Sequence, residues 1–82
     1  MVITSDQLRA ARALLGWSQT VLAQKAGLSL PTVKRTEEET GPHVSADARL
    51  KLQQALEMAG VLFIDENGGG SGVRFRRRQK PR

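Results

Sequence analysis

The feature that most limits the fold of this chain is the pair of turns at Gly16-Trp17-Ser18 and Gly27-Leu28-Ser29. In each, the glycine can close one helix in the left-handed conformation, and the serine two residues on can cap the next by accepting a backbone N–H. Trp17 with Leu22, and Leu28 with Val33, stand where apolar side chains staple a helix start. Pro31 is tolerated in the first turn of the second segment, whose last helical residue falls near Glu37. Both segments are about two turns long, and helices that short need packing from the rest of the chain to persist in water.

The same punctuation places two more helices. Thr4-Ser5-Asp6-Gln7 fits a capping box, with Thr4 as the N-cap, Gln7 reaching back, and Ile3 and Leu8 as the staple. Leu8, Ala11 and Leu15, widened by Ala10 and Leu14, form a helical apolar stripe that runs up to Gly16. Ser45 caps a longer helix whose Ala48, Leu52, Ala55, Leu56 and Ala59 share one side before Gly60. Residues 38–44 contain Gly41-Pro42 and read as a loop.

Beyond Gly60 the pattern changes. Val61-Leu62-Phe63-Ile64 is short and β-prone, Asn67-Gly68-Gly69-Gly70-Ser71-Gly72 is a loop, and Val73-Arg74-Phe75-Arg76 alternates apolar with cationic residues at strand period. The expected architecture is mainly α: a compact four-helix domain over residues 1–60, a β-strand pair over 61–77 and a basic disordered tail over 78–82. A two-stranded hairpin is marginal alone. Val61, Phe63, Ile64, Val73 and Phe75 are therefore expected to form a dimerisation surface that completes a sheet with a second chain.

Composition narrows the chemistry. Among 82 residues there is no cysteine and no tyrosine, and there is one histidine. Disulfide and thiol chemistry are thereby excluded, and no nucleophile–base–orienter set can be assembled, so neither an enzyme nor a bound cofactor is expected. His43 sits beside Pro42 with no second ligand cluster, and Glu37-Glu38-Glu39 reads as a solvated turn because consecutive helical residues diverge. No metal site is expected. The glycine segment is not a phosphate loop, since no Lys-Ser or Lys-Thr follows it and the next pattern is a strand. Apolar runs fall far short of the ~20 residues that span a bilayer. Met1-Val2-Ile3-Thr4 lacks the basic and apolar regions of a signal peptide, so the expected location is cytoplasmic, with no membrane partner.

Charge points to a partner. The net charge is +5, and residues 1–60 carry seven Lys/Arg against six Asp/Glu while residues 61–82 carry six against two. The surplus lies in Arg74, Arg76, Arg77, Arg78, Lys80 and Arg82, which suits a polyanion or a solubilising tail equally well.

The two short helices sharpen that choice. Ala23 is small where two helices would cross, Gly27 follows four residues later, and the β-branched Val33 follows six after that. These are the steric requirements of a helix-turn-helix, whose second helix enters the DNA major groove. The run from Leu15-Gly16-Trp17-Ser18-Gln19 through Ala23-Gln24-Lys25-Ala26-Gly27-Leu28-Ser29 to Pro31-Thr32-Val33 resembles the Xre/Cro/phage-repressor family of regulators. It is similar especially to small bacterial members with an Asn-Gly-Gly-Gly segment followed by Val-Arg-x-Arg. The likeness covers roughly residues 4–77.

The resemblance implies a lambda-repressor-like helix-turn-helix domain that binds a palindromic double-stranded DNA operator as a homodimer, regulates transcription, and associates with the nucleoid when bound. Carried over position by position, Gln19 would contact a phosphate and brace the recognition helix, and Ser29 would cap that helix beside a phosphate. Leu30, Pro31, Thr32, Lys34 and Arg35 would occupy its exposed positions, with Arg35 suited to guanine O6 and N7. Two departures stand out. Thr36 replaces the usual apolar residue, implying a less firmly seated recognition helix, and Arg49 stands where relatives often have Leu, implying a looser contact of the fourth helix. Together with the acidic run these suggest an alternative, a protein-binding antitoxin or anti-activator whose partner is a toxin or an activator. A further alternative is nonspecific nucleic-acid binding through the arginine tail.

Overall fold

Each helix begins where a hydroxyl cap stands. The computed structural model describes residues 2–38 and 45–77; the expected loop at 39–44, with His43, and the tail at 78–82 lie outside the described residues. Helix α1 spans Ser5–Leu15. Its capping box is closed, with Thr4 Oγ1 accepting the Gln7 N–H at 3.0 Å and Gln7 Oε1 accepting the Thr4 N–H at 2.9 Å. Helix α2, Gln19–Ala26, is capped by Ser18, and α3, Leu30–Glu38, starts with Ser29 Oγ accepting the Thr32 N–H at 3.2 Å. Gly16 and Gly27 close α1 and α2 at φ 67° and 69°, the left-handed region that glycine enters without steric cost. Helix α4, Ala46–Met58, is capped by Ser45.

Strands β1, Val61–Ile64, and β2, Gly72–Phe75, pair antiparallel with Val61 opposite Phe75, Leu62 opposite Arg74 and Phe63 opposite Val73. The second strand begins one residue before the alternation from Val73 suggests, and Arg76 extends the ladder by donating its N–H to Gly60 O at 2.8 Å. The molecule is thus mainly helical, with a two-stranded antiparallel sheet.

One apolar cluster joins every helix to the hairpin. Ile3, Leu8, Ala11, Leu22, Ala23, Val33, Leu52, Leu56, Val61 and Phe63 are all buried in it. Burial of a Leu- or Phe-sized side chain contributes about 1.5–3 kcal/mol, which supplies the tertiary support that the short α2 and α3 require. Trp17 packs half-buried against this cluster, in the staple role expected of it.

The register divides the residues expected at a dimer surface. Val61, Phe63, Val73 and Phe75 share the face of the hairpin turned to the chain's own core, where Val61 and Phe63 are buried. Ile64 lies on the opposite, outward face, together with Leu62 and Arg74. Val73 packs against the core from the inward face, and Phe75 is half-buried there.

Gln7 does a second job that its capping role does not announce. Its Nε2 donates to Ile64 O and to Gly72 O, each at 3.0 Å, and so clamps the loop end of the hairpin to α1. With both amide hydrogens and the amide oxygen bonded, the side chain is satisfied in a buried position.

Candidate nucleic-acid interface

The outer face of α3 follows from its period. Pro31, Lys34, Arg35 and Glu38 recur at helical spacing and are exposed, whereas Val33, Thr36 and Glu37 are buried on the other side. Leu30 and Thr32, expected to be exposed, are half-buried, and the Thr32 hydroxyl lies 2.8 Å from Ser29 Oγ. Ser29 itself is exposed at the helix start. Pro31, Lys34, Arg35 and Glu38 are therefore the side chains that α3 presents most openly.

The opposite end of α3 is pinned by polar groups from α1 and α2. Arg12 Nε and Nη2 donate to the two carboxylate oxygens of Glu37 at 2.7 and 3.0 Å, a bidentate pair. Gln19 Nε2 donates to Glu37 Oε1 at 3.1 Å, and Arg12 Nη1 also holds Trp17 O at 3.1 Å. Arg9 reaches the backbone carbonyl of Glu37, and Ser5 Oγ donates to Thr36 O at 2.5 Å. These bonds satisfy carbonyls in the last turn of α3, which lack partners inside the helix.

Glu37 thus corrects the sequence expectation. The expected solvated turn is, at this residue, the last turn of α3, and the Glu37 side chain is 2% exposed between Arg12 and Gln19. Its position four residues after Val33 places it on the inward face, and a buried carboxylate there requires the cations that α1 supplies. Gln19 takes the bracing position expected of it, with its amide committed to Glu37.

Thr36 and Arg49 are also absorbed internally. Thr36 is fully buried and its Oγ1 donates to Thr32 O at 2.7 Å, so the hydroxyl is satisfied on the helix's own backbone. Arg49 Nη1 donates to Ile3 O at 3.1 Å and approaches Ser5 Oγ at 3.5 Å. Ser5 therefore connects the two departures, touching Thr36 O on one side and Arg49 on the other. The Thr36 hydroxyl is thus satisfied within α3, and Arg49 ties α4 to the start of α1.

In the last turn of α2, Lys25 Nζ sits 5.9 Å from the centroid of the Trp17 ring, in cation–π range, and both line a pocket with Ala55, Met58 and Ala59. Among the described residues no group of three His, Cys, Asp or Glu is placed to hold a metal ion, and no helix is long and apolar enough to cross a membrane. Arg9, Arg12, Ser5, Gln7 and Glu37 are the positioning residues that the sequence did not mark as such. The available signal was two arginines three apart on the flank of the first helix, with only Asp6, which pairs with Arg9, as an acid on that helix.

These features define a small helical domain in which a two-helix turn unit presents an outer helix face carrying Lys34, Arg35 and Glu38. Compared with known proteins, the chain matches no family model and no curated protein.

Proposed function

We propose that this chain is a sequence-specific double-stranded DNA-binding transcriptional regulator, acting as a homodimer on a palindromic operator through α3. The observation that carries this reading is the contrast across α3: its inward side is fastened through Glu37, while Pro31, Lys34 and Arg35 project outward. The major groove admits an α-helix, and Arg35 suits the paired acceptors of guanine, O6 and N7. The amides at the α3 start beside Ser29 suit a phosphate oxygen, and Lys34 a neighbouring backbone charge. One copy reads only a few base pairs; two copies about a twofold axis read half-sites ~10–10.5 bp apart, or a multiple of that. Occupation of a promoter would exclude polymerase, so repression is the simplest regulatory outcome.

The protein-binding alternative drew on Thr36, Arg49 and the acidic run. Thr36, Arg49 and Glu37 each bond within the chain, which weakens the support they lend to it.

The test is selection of bound duplexes from a random DNA pool at ~150 mM salt, where nonspecific binding is suppressed. An enriched palindrome is the expected result. Absence of any enrichment from folded protein would overturn the reading and turn the search to a protein partner.

A further inference from the structure

The pocket between α2 and the end of α4 plays no part in the DNA-binding reading. Ala55, Met58 and Ala59, three and four residues apart, share one side of α4 at its C-terminal end. Trp17, in the turn before α2, and Lys25, in the last turn of α2, complete the lining of a volume of about 380 Å³. Pockets that hold small organic molecules run from about 300 to 1,000 Å³, with mostly apolar walls and few polar groups. Trp17 and Ala55 are firm walls because both pack against the core, whereas Met58 is 89% exposed and free to adjust. The Trp17 backbone is fixed as well, its N–H donating to Arg12 O and its carbonyl accepting from Arg12 Nη1, each at 3.1 Å.

The charge in this lining has one sign. Lys25 is its ionisable group, and among the described residues no carboxylate pairs with Lys25. A helix C-terminus ordinarily repels an anion through its open carbonyls. Here the carbonyls of Ala23 and Gln24 in α2, and of Ala55, Leu56 and Glu57 in α4, all accept N–H groups from the residues that close each helix. The groove on the other side of Met58 differs, since Glu57 lines it together with Arg76. Lys25 Nζ stands 5.9 Å from the Trp17 ring centroid, so an anion paired with the ammonium brings whatever it carries against the indole. A flat ring meets there an aromatic face, a thioether that favours aromatic contact, and two alanines that leave it room. A single cation in a pocket of this size suits one carboxylate on a compact body, whereas an acidic peptide needs cations spread along a groove.

We propose that this pocket binds a small aromatic carboxylate, with the carboxylate paired to Lys25 and the ring held by Trp17 and Met58 over Ala55 and Ala59. Binding here requires neither DNA nor a second copy of the chain, so it stands or falls separately from the DNA reading.

The experiment follows amide proton–nitrogen correlation spectra of the full chain during titration with naphthoate and, separately, with the neutral naphthamide, at ~150 mM salt to screen the exposed arginines. Trp17 is the only tryptophan, so its indole N–H gives one peak that reports on the pocket. Saturable shifts are expected at that peak and at the amides of Lys25, Ala55 and Ala59. Naphthamide is expected to bind about fivefold more weakly than naphthoate, the yield of one partly exposed ion pair. Lys25→Met keeps the apolar stem and should lower naphthoate to the level of naphthamide, while Lys25→Arg should keep the preference. Unchanged naphthamide binding by Lys25→Met shows that the variant is folded. No saturable shift at Trp17, shifts confined to Arg74, Arg76 and Arg77, or a naphthoate preference that survives Lys25→Met would each overturn the proposal. An acidic peptide that shifts the pocket peaks where naphthoate does not would also overturn it and assign the pocket to a protein partner.

Discussion

The C-terminal end of α3 and the loop end of the hairpin are each organised around one glutamate, with opposite consequences. Glu37 is buried and bonds to Arg12 and Gln19, 25 and 18 residues away along the chain. Glu66 is exposed and bonds to the amides of Gly68 and Gly70, two and four residues away. The first carboxylate sets how three helices sit against one another; the second shapes only its own loop. In a low-dielectric site an ion pair is held tightly and costs much to break, whereas an exposed one is screened. The same residue type therefore orients the candidate DNA-reading helix in one place and organises a turn in the other.

The largest effect is expected from breaking the buried pair. Glu37→Ala leaves Arg12 without its carboxylate and should destabilise the fold by about 3 kcal/mol, a fall in Tm of roughly 15 °C for a domain of this size. Replacing both partners by apolar side chains, Arg12→Met with Glu37→Leu, should recover most of that loss, because neither charge is then stranded. Thermal melts of the three variants check this. A Glu37→Ala protein that melts like the wild type would show that α3 is held by its apolar face alone.

A smaller, local loss is expected at the clamp between α1 and the hairpin. Gln7→Ala removes two bonds to strand carbonyls and one arm of the capping box, roughly 1–2 kcal/mol in all. Amide hydrogen exchange should quicken in β1 and β2 more than in α2 and α3. Uniform quickening would mean that Gln7 supports the whole domain and not the hairpin in particular.

Smaller still is Thr36→Val, which keeps the buried volume and removes a hydroxyl bonded only to its own helix. The change should stay under ~1 kcal/mol in a denaturant melt, and a larger loss would assign the hydroxyl a tertiary role. Glu66→Gln should have the smallest effect on stability. The folded carboxyl is held below its unfolded value, so its contribution is present above the ordinary carboxylate range and is lost as pH falls through the folded value. The wild type and Glu66→Gln should differ slightly at neutral pH and converge in acid; a difference that grows in acid would reverse the sign argued here.

What could be read from the sequence was local. Thr4, Ser18, Ser29 and Ser45 cap their helices through bonds spanning three residues. Such bonds leave a mark in the spacing itself, as do the left-handed glycines at 16 and 27. The period-2 alternation marked β2, whereas the outward positions of Lys34 and Arg35 were expected from the family resemblance alone. What could not be read was tertiary and polar. Ser5 meets Thr36 across 31 residues, Arg49 meets Ile3 across 46, and Gln7 meets Gly72 across 65. No periodicity encodes such pairs. A buried carboxylate such as Glu37 looks the same in sequence as a solvated one until its cation is placed. The face of the hairpin turned to the core was hidden for a related reason: alternation tells which residues share a side, not which side is covered.

The central claim is that α3 reads base identity and does not merely rest on the phosphates. It is tested most directly by the affinity of Arg35→Ala for the selected operator and for a scrambled duplex at matched salt. The account predicts a loss of about 1–3 kcal/mol on the operator, with preference relaxed at one base position, and almost none on the scrambled duplex. An equal loss on both would make Arg35 a phosphate contact and contradict the claim.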